Sequence, residues 1–451
     1  MQQQPRLPLW FLGAIWGLIA GAFWLGLQVG RAGTGDLPSA QLAALAIVHR
    51  EILQSHVDPQ QADQLLERAI AGMVKGLDPY SKYVPPVEVP EYEERNTGHY
   101  QGIGADFDVH GDVVVLHFPM ADSPAERAGL QPGDLLLAVD DTALDSATNR
   151  NRVVELVRGP AGSEVRLRLQ RGNDRIDRVV QRGDVQKPCV KWAHRVAPDA
   201  QLGYVHLTDF HPNCSRQLFA AIDALQQDGS LRGLVLDLRW NGGGNLDECL
   251  AIARAFLPSG TIVTQFRRDR EVVETHTATP ETCRYPDLPL VLLVNDSSAS
   301  ASEVLAGALQ DHGRAAIVGV RTHGKACVNT VYAWKNHDFR LKLTTGLYRT
   351  PKGRDIERHL HKGDTASADG GIVPDVESTV TDKVEARLYG SIQRREVPQN
   401  HQAAHAAVAA KYGFEVAAPP DPGTDEQVAK ACEVLRTRVA PPPTNDPVTP
   451  K

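Results

Sequence analysis

The apolar run Leu290–Val294 and the thirty-odd residues after it constrain the fold of this chain more than any other stretch. A run that short, apolar throughout and followed by Asn295-Asp296-Ser297, reads as a buried strand. Ser298-Ala299-Ser300-Ala301-Ser302-Glu303 then opens a helix, since Val304, Leu305, Ala308 and Leu309 recur at helical spacing. Ala315–Val318 reads as the next strand and leads through Gly319 to Gly324-Lys325. The order strand, serine turn, helix, strand, lysine loop can set a hydroxyl at a helix N-terminus and bring an amine towards it.

The same alternation begins near Gln186. Gly203–Leu207 is expected as a strand, Leu218–Leu225 as a helix and Leu234–Leu238 as a strand ending in Asp237-Leu238-Arg239-Trp240-Asn241-Gly242-Gly243-Gly244-Asn245. A helix with Leu246, Leu250, Ala253 and Phe256 on one face follows. Such alternation predicts an α/β core with a largely parallel sheet.

From Tyr100 the character differs: short β-runs (Val113–Phe118, Leu135–Val139, Val165–Gln170) are punctuated by glycines. Ser123-Pro124 is a helix start with Gly129 as its stop, and Val153–Arg158 is a second helix. Upstream, Leu37–Met73 carries two helices broken near Asp58-Pro59, then turn residues over Leu77–Pro86 and a linker-like acidic stretch to about Asn96. Beyond Asn329, Arg340–Thr345 alternates as a strand does. Past residue 390 one helix is expected, Glu426–Thr437, before a Pro-rich tail read as disordered.

A length of 451 residues is too long for one ordinary domain and fits about three. Leu9–Val29 has no charged residue over 21 positions, enough to span a bilayer at about 1.5 Å per residue. It exceeds the apolar part of a cleaved signal peptide, so an uncleaved anchor is expected, with Arg6 and Arg31 nearly balanced about it. A net charge of −7 gives no basic footprint and sets nucleic acid aside as a partner. The six cysteines are scattered without a CxxC pair, so no metal-site spacing is present and no metal is expected.

Ser300 and Lys325 are the candidates for chemistry. A serine becomes nucleophilic when a base takes its proton and donors stabilise the oxyanion it creates. A lysine can be that base where burial disfavours its ammonium. Ser300 with Glu303 also spells S-x-x-E, a capping box, so on local sequence the hydroxyl is equally well a helix cap. Gly242-Gly243-Gly244, between a strand and a helix, can converge backbone N–H groups on an anion. Phosphate is disfavoured, because no G-K-[ST] follows and Asp247 and Glu248 occupy the first helical turn.

Two resemblances organise these pieces. Residues 97–185 resemble a PDZ domain of the bacterial type, with GIG at 102–104, SPAERAGLQPGD at 123–134 and RGPAGSEVRLRLQR at 158–171 in order. Over residues 37–390 the chain resembles the C-terminal processing peptidases, or tail-specific proteases, of peptidase family S41. The match rests on LDPYSKY, the PDZ pattern, GYVHLTDF, DLRWNGGGN, SSASASEVLAGALQDHGRAAIVG, THGK, LKLTTGLYRTPKGRDI and GIVPDV.

The resemblance implies an α/β fold with a ClpP/crotonase-like catalytic core, an inserted mainly-β PDZ domain and an N-terminal helical segment, to which the uncharged run at Leu9–Val29 adds a transmembrane helix. The domains then run 1–36 (anchor), 37–96 (helical segment), 97–185 (PDZ), 186–390 (peptidase) and 391–451 (C-terminal helix and tail). It implies Ser300 as nucleophile, Lys325 as general base, and Gly243 or Gly244 with Ala301 as the oxyanion hole. Asn329 stands where the family often has a glutamine that orients the lysine. Gly102, Ile103, Gly104 and Ala105 match the loop that binds a peptide carboxylate. The implied protein is a membrane-anchored serine endopeptidase on the periplasmic side, without cofactor, acting on protein C-termini; an adaptor partner or homo-oligomer is left open. Asn329 and Gly242, both departures from the family pattern, support the alternative of a catalytically impaired PDZ scaffold. His323 is expected to pack, and His359 with His361 to form a polar loop.

Overall fold

The computed structural model describes residues 39–227, 229–267, 271–360, 370–416 and 418–439. The expected anchor at Leu9–Val29, His361 and the Pro-rich tail lie outside them. Among the described residues no helix is long and apolar enough to cross a membrane. The chain divides into two compact units, residues 1–73 and 74–451. The first holds α1 (Ser39–Ser55) and most of α2 (Ala62–Lys75), interrupted around Asp58-Pro59 as the sequence indicates.

The second unit begins with β1 (Lys82–Val84) and α3 (Val89–Thr97). Here the linker expectation fails: the acidic stretch is helical, stopped by Gly98 at φ +67°, and its Glu94 pairs with Arg158 at 2.7 Å and Lys187 at 2.8 Å. Strands β2 (His99–Gly102), β3 (Ala105–His110), β4 (Val113–Pro119), β5 (Leu135–Val139), β6 (Thr142–Ala143), β7 (Glu164–Arg171), β8 (Asp174–Gln181) and β9 (Gly183–Gln186) follow. They are joined by α4 (Pro124–Arg127) and α5 (Arg150–Val157). An antiparallel sheet in the order β3-β4-β5-β7-β8 leaves β3 at an edge, and β2 pairs with β9. Alternate residues of these strands, among them Phe107, Leu116, Leu136 and Leu167, bury a core separate from that of the central α/β sheet.

The central sheet has the order β10 (Val190–Arg195), β11 (Leu202–Leu207), β12 (Gly233–Asp237), then Leu290–Val294, Ala315–Gly319 and Val376–Glu377. All its pairings but the first are parallel. Helices α6 (Cys214–Gln226), α7 (Leu246–Phe256) and α8 (Ala301–Asp311) cover one face. Burial on both faces is why these strands read as unbroken apolar runs.

A second sheet, unanticipated apart from Arg340–Thr345, joins β1 to β13 (Gly260–Arg267), β14 (Val272–Ala278) and a long hairpin, Cys327–Trp334 with His337–Arg349. The earlier runs of the central sheet are therefore β15, β16 and β19, and the hairpin β17 and β18. The single C-terminal helix expected is, among the described residues, one of three: α9 (Asp382–Gln393), α10 (Gln402–Tyr412) and α11 (Glu426–Arg438). α10 is largely alanine, so its apolar stripe is faint although His405, Val408 and Ala409 are buried. α11 covers the other face of the central sheet through Val428, Ala431, Cys432 and Leu435.

Candidate active site

Two loops that leave the C-terminal ends of neighbouring parallel strands build the site, where open α/β sheets bind ligands. β12 runs into residues 238–245 and β15 into 295–300, and the loops are laced together. Ser298 Oγ donates to Leu238 O at 2.8 Å, and Trp240 N to Asn295 Oδ1 at 2.9 Å. Asn241 O accepts from Ala299 N at 3.0 Å and from Ser302 Oγ at 2.9 Å. At Gly243, φ is +94°, and a Cβ would fall 2.6 Å from Ala299 O, 2.8 Å from Ala301 N and 2.9 Å from Ser300 Cβ. Only glycine lets this turn approach the serine so closely.

Ser300 has φ +55° and ψ −113°, a rare conformation for a residue with a side chain, and α8 begins at the next residue. Strain of this kind costs about 1–3 kcal/mol and persists where surroundings over-determine it. Here they do. Ser300 N donates to Glu303 Oε2 at 2.9 Å, and Ser300 O accepts from Glu303 N and Val304 N, each at 2.9 Å.

Glu303 does more than cap a helix. Fully buried, it also accepts from Thr322 Oγ1 at 2.6 Å, Gly324 N at 2.7 Å and Lys325 N at 2.9 Å. One carboxylate thus fastens the serine backbone to the lysine backbone. The buried Tyr348 repeats the tie, its hydroxyl lying 3.1 Å from Ser300 O and 2.7 Å from Lys325 O. Burial pushes the Tyr348 pKa well above its usual value, which keeps the hydroxyl a donor.

Glu303→Gln keeps the shape but turns an NH2 against two of the four donors. We expect kcat/KM to fall about 10²-fold and urea stability to drop by about 1–3 kcal/mol, as for buried groups left unpaired. Unchanged kinetics would contradict the staple. Burial raises the Glu303 pKa, against its four donors. As pH falls through that raised value, a proton enters a site that already faces donors. The parent should therefore lose activity on the acid side with a step that the Gln variant lacks.

Ser300, Ala301, Gly243, Gly244, Lys325 and Asn329 all line one cleft of about 620 Å³, with Val263, Val304 and Val328 among its apolar walls. Lys325 is half-buried, its Nζ 5.1 Å from the centre of the Tyr80 ring. Among the described residues no hydrogen bond joins it to Ser300 Oγ. The Tyr80 turn is itself held in place: Asp78 Oδ1 accepts from Tyr80 N and Ser81 N, each at 2.8 Å, and from Thr344 Oγ1 at 3.0 Å. Asn329 Nδ2 donates to Thr344 Oγ1 at 3.1 Å, and no hydrogen bond to Lys325 is found among the described residues. Lys342 lines the same cleft, its pKa lowered by burial and then by the charge of Lys325.

Of the two glycines proposed for the oxyanion, Gly243 has its N–H committed to Asn241 Oδ1 at 2.9 Å. Gly244 N and Ala301 N take no partner among the described residues. On the sequence Glu303 reads only as a capping-box partner of Ser300, and Tyr348 has no role, its signal being its presence inside a motif already quoted.

In the inserted domain, Gly102 ends β2 and Ala105 begins β3. Ile103 is buried in that domain's core, its O accepting from Ala125 N at 2.8 Å. Gly104 has φ +70°, and a Cβ there would fall 2.5 Å from Ser123 Cβ. His323 packs against His359, the rings tilted by 31° with centres 4.6 Å apart, the packing role expected of it.

Residues 201–378 match the family model described as Peptidase family S41, and residues 119–171 match that of a PDZ domain. A carboxy-terminal-processing protease of Bartonella bacilliformis is 32% identical over 415 residues, covering 88% of this chain and 89% of the relative. The chain belongs to peptidase family S41. This S41 member is a serine-type peptidase of mixed α/β fold with a PDZ domain. A probable CtpA-like serine protease of Staphylococcus haemolyticus is 33% identical over 329 residues, 73% of this chain; the S41 chain spans 65% of that relative's length. Among solved structures, the photosystem II D1 C-terminal processing protease is 29% identical, covering 76% of this chain and 94% of its own, with a TM-score of 0.42.

Proposed function

We propose that this peptidase cleaves proteins near their C-termini with a Ser300–Lys325 dyad, and that its PDZ domain holds the substrate's C-terminus. The observation that carries the reading is the double tie inside the cleft: Glu303 and Tyr348 each contact backbone groups of both Ser300 and Lys325. Serine and lysine are thereby held together although 25 residues apart in sequence.

Lys325 leaves the Tyr80 ring, which its four-carbon side chain permits, and takes the Ser300 proton as Oγ attacks the scissile carbonyl. Gly244 N–H and Ala301 N–H receive the oxyanion. The lysine returns its proton to the departing amine, and water activated by the same lysine frees the acyl group. Val263, Val304 and Val328 favour an apolar substrate side chain beside the scissile bond. The edge position of β3 supports peptide recognition by strand addition, with residues 102–105 at the carboxylate. We further assign the core a ClpP/crotonase-like winding. Residues 9–29 would serve as an inner-membrane anchor, a reading supported by that uncharged run, and the catalytic part would lie on the periplasmic side.

A fluorophosphonate probe tests the dyad. One label per chain is expected on Ser300, absent from Ser300→Ala and strongly slowed in Lys325→Ala. Labelling that survives Ser300→Ala, or none in the parent, would overturn the assignment.

A further inference from the structure

A second cluster of reactive side chains lies on the outer face of the PDZ sheet. Asp106, Asp108 and His110 alternate along β3 and so share a face. His117 joins them from β4, beside the register shift at Asp106/Phe107. His110 Nε2 and His117 Nε2 are 2.8 Å apart, and one ligating atom from each of Asp108, His110 and His117 lies within 4.8 Å of the others.

We propose that Asp108, His110 and His117 form a binding site for a divalent transition-metal ion, zinc foremost. Two imidazoles and a carboxylate are borderline-to-hard donors suited to Zn²⁺, and three protein ligands leave a fourth position for water. Asp106 Oδ2 lies 3.5 Å from His117 Nδ1. A carboxylate there keeps the proton on Nδ1 and turns Nε2 towards an ion, as the outer partners of metal-bound histidines do. Asp108 and His110 are partly exposed, so an ion can enter from their side, while the His117 side chain is only 11% exposed.

The C-terminal segment roofs the site. Phe414 stacks on His110 at 4.8 Å and on His117 at 4.2 Å between ring centres. His405 of α10 lies 5.6 Å from His117, its buried Nδ1 without a hydrogen-bond partner among the described residues. A bound ion would stiffen the junction between the PDZ strands and that segment.

The competing account is an aromatic stack in which the two imidazoles share one N–H···N bond under Phe414. The ion would take the place of that shared proton, which belongs to His110 and moves from its Nε2 to its Nδ1, so that both rings bind as neutral imidazoles through Nε2. Tetrahedral zinc, with Zn–N of about 2.0–2.1 Å, requires the two Nε2 atoms to be about 3.3 Å apart. The rings need to part by only about half an ångström.

The test is a calorimetric titration of the full-length chain with ZnCl2 after chelator treatment. The parent should bind one equivalent, with affinity reduced at least tenfold in His110→Gln and in His117→Gln. His323→Gln, which alters the packed pair His323 and His359, should bind as the parent does. Binding of equal strength in all three variants, or no saturable binding by the parent, would overturn the proposal. Co²⁺ loading of the parent gives a reading independent of any variant's folding: intense visible d–d bands are expected for a four-coordinate site, and weak octahedral bands alone would contradict it. Neither outcome bears on Ser300 and Lys325.

Discussion

Ser300→Ala and Lys325→Ala should each lower kcat/KM towards an unfolded protein substrate by about 10⁴-fold or more, and the double variant should lose little beyond that. A nucleophile and its base act as one unit, so removing either removes the covalent route, while oxyanion donors and binding contacts sustain a residual rate. The fold should survive both changes. Alanine at position 300 meets the same φ of +55° without a new clash, and Lys325→Ala gives up one contact with the Tyr80 ring, about 0.5–1 kcal/mol at such sites. Lys325→Arg should be as inactive as Lys325→Ala, because a guanidinium stays protonated and cannot accept the serine proton. Single-turnover kinetics with a quenched peptide, alongside thermal melts, separate lost chemistry from lost fold. Turnover within about tenfold of the parent in either alanine variant would remove that residue from the mechanism.

The parts of this site legible in the sequence are those set by backbone geometry over a few residues. The glycine turn, the serine turn and the two apolar strands announce themselves locally. What escaped reading is long-range. Glu303 spells a capping box, and it does accept from Ser300 N; nothing local says that the same carboxylate collects Thr322, Gly324 and Lys325 from a loop some twenty residues on. Tyr348 looks like an ordinary strand aromatic until β18 is laid beside the cleft. The family resemblance implies that Asn329 orients Lys325; the hairpin β17–β18 offers it Thr344 across the ladder. In the same way β1 is too short for any periodicity to show, and its register is supplied by β18.

Arg239→Leu should destabilise the chain by about 3–5 kcal/mol, the loss associated with removing one partner of a buried charge cluster. Arg239 is fully buried immediately before the glycine turn. Its Nη2 donates to Asp237 Oδ2 at 2.6 Å and to Asp425 Oδ2 at 2.7 Å, and its Nη1 to Gln427 Oε1 at 2.8 Å. Tyr204 Oη adds a donor to Asp237 Oδ2 at 2.7 Å. One guanidinium therefore couples the end of β12 to the start of α11, across nearly 190 residues of chain. With leucine in its place, two carboxylates remain in the interior without their cation. The pH dependence carries the sign of this account. Burial alone would raise the Asp237 pKa, but Arg239 holds it below the ordinary carboxylate value. In the parent that depression contributes stability above about pH 4, lost as pH falls through the lowered value. In the variant burial prevails, so Asp237 favours its protonated form and its penalty shrinks on acidification. The stability gap between parent and variant, followed by urea unfolding from pH 7 to pH 5, should narrow as pH falls. A gap that widens, or one below about 1 kcal/mol at neutral pH, would show that the cluster does not hold α11 and the glycine turn together.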